Sequence, residues 1–323
     1  MLRFVLSAAL AATAATAQDV PPEDVGFRAV LVASDGHTVE VYVSTEGRPA
    51  DTTRALPLVV YLQGSGYAPI FYGPPDRLSH GLMLKPGDFP GHHYAVVGKP
   101  GAPFWSPEPG EPTPAYHRAL TLDRRVADAS AAVDALARRP WVDASRVVVV
   151  GHSEGAQVAP ALAAANGRVT HVAALAASGL SQAVDFVFDV RRRVRAGELS
   201  FEEGEARIAA VHDQIRRIEA APAAADSLWR GHSYRRWWSF FRPPLDAFLA
   251  LDIPVFVAVG VDDTASPVES ADYIPIAFLL AGKGNLTYRA WPTDHRFQET
   301  TADGERVDRR PDIVAAILDW LGV

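Results

Sequence analysis

The stretch Val147-Val148-Val149-Val150-Gly151-His152-Ser153-Glu154-Gly155-Ala156-Gln157 decides the fold. Four consecutive valines read as a buried strand, because β-branched side chains suit a pleated surface better than a helix. Gly151-His152-Ser153-Glu154-Gly155 then fits G-x-S-x-G, and an Ala-rich helical run begins at once. A serine between strand and helix sits on a sharp, strained turn, and glycines on either side leave room for that backbone. The turn would lift the Ser153 hydroxyl above the sheet edge. The N–H of Glu154 would point to where a negative oxygen develops on an attacked carbonyl. Ser153 is therefore the candidate nucleophile. The Glu154 side chain has a simpler reading, as a carboxylate favoured in a first helical turn by the helix dipole.

The rest of the chain orders itself around this turn. Phe27–Ser34 and Thr38–Thr45 alternate like strands and are joined by Asp35-Gly36, a hairpin signal. Leu56–Leu62 is a strand ending in Gln63-Gly64-Ser65-Gly66, and Tyr94–Val97 one ending in Gly98-Lys99-Pro100-Gly101. Leu120–Arg139 has helical spacing, with Leu122, Val126, Ala129, Val133 and Leu136 on one face. Val169–Ala176, Ile253–Val259 and Leu286–Ala290 read as further strands, Val268–Ala281 and Asp312–Leu321 as helices. Strands alternating with helices imply a mainly parallel sheet covered on both faces. Pro100–Pro114 is expected to be an ordered surface loop without helix or strand.

One segment, about 180–251, breaks the alternation. Leu180–Arg195 and Ser200–Ala220 look helical, the second with Phe201, Ile208, Val211, Ile215 and Ile218 in phase. Trp229–Phe241 then gathers six aromatic rings, counting the tyrosine and the tryptophans but not His232. An insertion here rises from the strand ends where ligands bind in open α/β sheets. It reads as a helical cap over the active site, against the alternative of a peripheral decoration glued on by its aromatics.

Composition bounds the function. The 323 residues are 48% hydrophobic and 21% charged, as in an ordinary globular protein. A net charge of −7 argues against nucleic acid as a partner, since phosphate binding needs a basic footprint. Cysteine is absent, which excludes disulfides, a thiolate nucleophile and cysteine-ligated metal. No H-E-x-x-H or comparable ligand spacing appears, so neither a metal nor another cofactor is expected. At the N-terminus, Arg3 precedes an apolar run, Phe4–Ala15, and Ala15-Thr16-Ala17 fits an A-x-A cleavage site. Residues 1–17 are expected to be a signal peptide, too short to span a membrane, and 18–323 the mature periplasmic or secreted domain.

The order of these motifs resembles that of the α/β-hydrolase superfamily, over nearly all of the sequence after residue 17. The resemblance implies an α/β-hydrolase fold: a mostly parallel, doubly wound sheet with a helical cap insertion. It implies a triad in the order nucleophile, acid, histidine. The acid comes from Gly260-Val261-Asp262-Asp263-Thr264-Ala265-Ser266-Pro267, where the family's G-x-x-D with a later proline selects Asp263 and leaves Asp262 as runner-up. The histidine is His295, in the loop after the last strand. His152 is expected to pack or hydrogen-bond locally, and Asp294 to be a solvated surface residue. The oxyanion donors are the N–H groups of Ser65 and Glu154.

The implied reaction is acyl transfer to water through an acyl-enzyme, with a carboxylic ester as the substrate bond. Peptide and thioester bonds are the alternatives, and a non-catalytic binding protein is the least expected reading. The partner is a small acyl substrate. Tyr67, Trp237, Trp238 and Phe241 are the candidate substrate-binding residues, forming an apolar site. Arg235 and Arg236 read either as a solvated pair or as ligands for a substrate carboxylate.

Overall fold

The computed structural model describes residues 20–323, so the signal-like segment 1–17 lies outside the described residues. Eight strands form the main path of one sheet: β1 (Arg28–Ser34), β2 (His37–Thr45), β3 (Leu56–Leu62), β4 (His93–Val97), β5 (Val142–His152), β6 (His171–Leu175), β7 (Val255–Gly260) and β8 (Leu286–Trp291). Their spatial order is β1-β2-β4-β3-β5-β6-β7-β8. The β1–β2 and β2–β4 pairs are antiparallel, and all pairs from β4 onward are parallel. Asp35 and Gly36 turn the first hairpin with φ of 39° and 80°, the left-handed pair that a tight hairpin turn requires. This is the α/β-hydrolase fold.

Alternation across the pleat explains the runs of apolar residues in the central strands. Leu58, Val60, Val147, Val149, Val172, Val255 and Val257 face one core, and Val59, Tyr61, Val148, Val150, Phe256 and Ala258 face the other. The first core is covered by α1 (Leu122–Ala137) and α2 (Glu154–Ala165). The stripe Leu122, Ala129, Val133 and Leu136 of α1 is buried there, as its spacing predicts. The second core is closed by the C-terminal helix Arg310–Leu321 through Ile313, Ala316, Ile317 and Leu321.

Between β6 and β7 the chain leaves the sheet and forms α3 (Gln182–Arg195), α4 (Phe201–Ala220) and α5 (Tyr234–Phe240). Ser200 caps α4 by accepting from Glu203 N–H while Glu203 reaches back to the Ser200 N–H. Val190, Leu199 and Ile208 join α3 to α4, and Phe240, Phe248 and Leu251 root the insertion in the first core. Phe201 departs from the expected stripe: it is 62% exposed, because a side chain in a first helical turn leans back beyond the helix end. Two details of the surface differ from expectation. Trp105–Ser106 in the Pro-rich segment pairs with Phe71–Tyr72 as a short strand, and a helical turn starts at Pro114. Among the described residues no helix is long and apolar enough to cross a membrane.

Candidate active site

The carboxyl ends of β3, β5, β7 and β8 bring the expected site residues together. Ser153 follows β5 with φ 57° and ψ −119°, a strained conformation held by its N–H donating to Leu175 O at 2.9 Å. The flanking glycines are obligatory for packing. A Cβ on Gly151 would lie 2.0 Å from Gly155 O, and one on Gly155 2.0 Å from Leu62 O. The G-x-S-x-G spacing therefore records how closely helix α2 presses on β3 and β5.

Ser153 Oγ lies 2.9 Å from His295 Nε2, and His295 Nδ1 lies 2.7 Å from Asp263 Oδ2. The other Asp263 oxygen accepts from Ala265 N–H and Ser266 N–H, both at 2.8 Å. Asp262 is exposed, and its N–H donates to Thr293 O at 3.0 Å. The acid loop and the histidine loop touch at Gly260, where a Cβ would stand 2.3 Å from Thr293 O.

His152 packs as expected, buried against the rings of His295 and Phe297. Its hydrogen bond is not local, however: its Nε2 donates across the site to His295 O at 3.0 Å, and burial with His295 beside it pushes its pKa down to about 3. It is a neutral donor that holds the His295 backbone. Asp294 is not simply solvated. Its carboxylate accepts from Arg296 N–H at 2.8 Å, Gln298 N–H at 2.9 Å and Arg306 Nη2 at 2.9 Å, stapling the loop that carries His295.

The Gln63–Gly66 turn lies against the elbow, and a Cβ on Gly64 would be 3.2 Å from Ser153 Cβ. Each carbonyl of this turn receives a side-chain donor. Arg125 Nη2 donates to Gln63 O at 3.1 Å, Tyr116 OH to Ser65 O at 3.0 Å, and Lys99 Nζ to both Gly64 O and Gly66 O. The C=O and N–H of a trans peptide point in opposite directions. Drawing Gly64 O toward Lys99 therefore turns the Ser65 N–H the other way. Among the described residues neither Ser65 N–H nor Glu154 N–H has a hydrogen-bond acceptor, and both residues line the cavity at Ser153.

Sequence reasoning missed the charge network beneath this turn. Glu154 is 2% exposed, and its carboxylate accepts from Arg125 Nη1 at 2.8 Å and from Arg236 Nη2 and Nε at 2.7 and 3.0 Å. Arg236 is gripped on its faces by Trp237 and Phe240, with its guanidinium carbon 4.3 and 4.4 Å from their ring centres. Burial alone would raise the Glu154 carboxyl, but Arg236 and Arg125, with Lys99, outweigh it and hold it at about 2. Burial pushes the Lys99 ammonium down to about 7, with Arg125 adding to the effect and Glu154 opposing it. A signal for Arg125 was present: it sits three residues after Leu122 and four before Ala129, inside the apolar stripe of α1. The two alternatives for the arginine pair are both corrected for Arg236, which is neither solvated nor free; Arg235 is exposed.

A cavity of about 410 Å³ opens from Ser153 beneath the helical insertion. Of the four expected substrate-binding residues, only Trp237 lines it. Trp238 is 44% exposed, since consecutive helical residues point about 100° apart. Phe241 stacks on Trp237 at 5.8 Å, and Tyr67 packs edge-on against Tyr116 at 5.1 Å while donating to Gly101 O. The expected apolar site is instead largely polar, with Gln157, Gln182, Asp185, Asp189 and Arg230 among its walls. Burial raises the Asp185 carboxyl to about 7, although Ser178 Oγ donates to it at 2.6 Å.

No family model matches the sequence, and no curated protein matches it. Solved structures do match in fold. The Pyrococcus horikoshii acylaminoacyl peptidase aligns with 92% of this chain at TM-score 0.59 and 10% identity, over 41% of its own length. A Mycobacterium tuberculosis puromycin-hydrolyzing peptidase aligns with 93% at TM-score 0.54 and 16% identity, over 40% of its own length. Est1E from Butyrivibrio proteoclasticus aligns with 91% at TM-score 0.53 and 13% identity, over 97% of its length. The chain thus spans about two fifths of the two peptidases. At these identities the likeness establishes the fold.

Proposed function

We propose that the protein is a serine hydrolase that transfers an acyl group to water through a covalent intermediate on Ser153. The observation that carries this reading is the continuous path Ser153 Oγ–His295 Nε2–His295 Nδ1–Asp263 Oδ2, with separations of 2.9 and 2.7 Å. In this mechanism His295 takes the Ser153 proton as Oγ attacks the carbonyl carbon. Asp263 holds the imidazole tautomer and stabilises the imidazolium that forms. The N–H groups of Ser65 and Glu154 receive the developing oxyanion. His295 then protonates the departing atom and activates water to release the acid.

Peptide-like acyl groups fit the cavity better than a long apolar ester. Its walls include Asp185, one of whose buried oxygens has no hydrogen-bond partner among the described residues; an alkyl chain would leave that oxygen unsatisfied, which is costly, whereas a polar acyl group can donate to it. Two of the structural neighbours are peptidases, which agrees with this preference. Ester bonds with polar acyl groups remain within the same chemistry. We also propose that residues 1–17 direct export, on the strength of the apolar run and the Ala15-Thr16-Ala17 site.

The test pairs a fluorophosphonate probe with a substrate panel. Wild-type protein is expected to be labelled at Ser153, and Ser153→Ala to lose both labelling and turnover. Aminoacyl and dipeptidyl anilides are expected to be cleaved with higher kcat/KM than dodecanoyl esters. Labelling and turnover that survive in Ser153→Ala would refute the mechanism. A preference for the long alkyl ester would refute the substrate class.

A further inference from the structure

Ser153 borders two cavities. The first is the chamber beneath the insertion. The second, about 240 Å³, lies across the Gln63–Gly66 turn and is lined by both Ser153 and His295. Their charges differ. Glu154, Asp185 and Asp189 line the first, whereas among the described residues no carboxylate lines the second. The second has Lys99, Arg296 and Arg310 instead.

The proton inventory of acyl transfer tells the two apart. When the tetrahedral intermediate collapses, the bond from the carbonyl carbon to the departing atom breaks. Its electron pair stays on that atom, which takes the proton from His295 Nε2. The departing fragment must therefore lie on the side of His295. His295 lines the second cavity and not the first. The acyl part is left to the chamber beneath the insertion.

Of the three cations, two have partners that absorb their donors. Arg310 clasps Asp308, with Nη2 at 2.6 Å from Oδ2 and Nε at 2.8 Å from Oδ1. Lys99 donates to the carbonyls of the oxyanion turn. Arg296 differs. Asp294 holds its backbone N–H, but among the described residues its guanidinium has no carboxylate within ion-pair distance. It is exposed at the cavity, one residue from the proton donor. A planar guanidinium with five free donors is suited to a carboxylate.

We infer that the second cavity is the leaving-group subsite and that Arg296 selects leaving groups bearing a carboxylate, such as the amino acid freed from a C-terminal peptide bond or from an N-acyl amino acid. The inference rests on the acyl-transfer reading above. Contact with Arg296 is made in ground and transition states alike, so it acts mainly on KM.

Two aryl esters with one acyl group test it: 4-acetoxybenzoate and methyl 4-acetoxybenzoate. They form the same acetyl-enzyme, so kcat/KM compares leaving groups only. The ratio of kcat/KM, acid over methyl ester, is taken in wild type, Arg296→Lys, Arg296→Gln and Arg296→Glu. Intrinsic reactivity and the fraction of active protein cancel when ratios are compared. Relative to wild type, the ratio is expected to fall about tenfold in Arg296→Gln and further in Arg296→Glu, while Arg296→Lys retains part of it. In wild type it is expected to fall as salt is raised. A ratio that is the same in all four proteins overturns the subsite assignment while leaving the hydrolase reading intact. If wild type cleaves neither ester and the fluorophosphonate does not label Ser153, the acyl-transfer reading fails and takes the subsite with it.

Discussion

Glu154→Gln is the most informative single substitution, because it changes charge and almost nothing else. The carboxylate lies between two guanidiniums, with side-chain exposures of 1% for Glu154, 5% for Arg125 and 3% for Arg236. Removing one partner of a buried ion pair costs about 3–5 kcal/mol, since the remaining charge is left without compensation. Linkage gives a second route to the same figure. Holding the carboxyl at about 2 instead of its ordinary 4.5 corresponds to roughly 3 kcal/mol of native-state stabilisation.

The sign of the pH dependence follows. The folded pKa is depressed, so between about 2 and 4.5 the unfolded chain binds the proton and the folded chain does not. The contribution is fully present above about 4.5 and is lost as pH falls toward about 2. Urea unfolding followed by tryptophan fluorescence at pH 7 is expected to place Glu154→Gln about 3–5 kcal/mol below wild type. At pH 3 the gap is expected to shrink to about half or less, because the unfolded wild-type chain then binds a proton that the folded chain does not, and this uptake stabilises the unfolded state. A variant within about 1 kcal/mol of wild type at pH 7 would refute the network as a source of stability. A gap that does not narrow in acid would refute the electrostatic account even if the destabilisation is found.

Three other outcomes are expected. Lys99→Met removes the donor to Gly64 O and Gly66 O and should lower kcat by about tenfold to a hundredfold with little change in KM; wild type should lose activity above about pH 7 as the ammonium deprotonates, and the variant should lack that limb. Equal kcat in the two proteins would exclude the positioning role. Trp237→Ala should destabilise by about 3–5 kcal/mol and alter acyl-group preference, whereas exposed Trp238→Ala should stay within about 0.5 kcal/mol of wild type and keep its preference, both read by unfolding and the substrate panel. Protein recovered from a bacterial periplasm should begin at Gln18 or within a few residues on N-terminal sequencing, and an intact Met1 terminus would exclude export by this route.

The sheet was legible because burial on both faces imposes a composition. Val147–Val150 must be apolar at every position, since odd residues face one core and even residues the other. The turn at Ser153 was legible because close approach imposes glycine at Gly151 and Gly155, and no other residue type satisfies that constraint. His295 was placed by the order of strands and motifs that resembles the α/β-hydrolase superfamily, and Asp263 over Asp262 by that family's G-x-x-D pattern with a later proline. The pairing Trp237-Trp238 misled for the opposite reason. Adjacent aromatics look like one cluster in a sequence, but a helix sends them to different faces, and only one can reach the cavity.

Buried charge leaves a fainter trace than buried carbon. Glu154 and Arg236 each look solvated when read among their sequence neighbours, and they become a pair only when α5 of the insertion folds over the elbow, 82 residues along the chain. The same contact explains why the insertion and the oxyanion turn are one mechanical unit. Arg236 ties α5 to Glu154 and, through Gln182, to α3; Arg125 ties Glu154 to Gln63. The roof of the acyl cavity and the floor beneath the oxyanion donors therefore share one carboxylate. A change in how the insertion seats would be felt at Ser65 N–H without any movement of Ser153, His295 or Asp263. On the proposed acyl-transfer reading, specificity and rate would then be coupled through Glu154, and the insertion would act on the acyl site through its charges as much as through its aromatic rings.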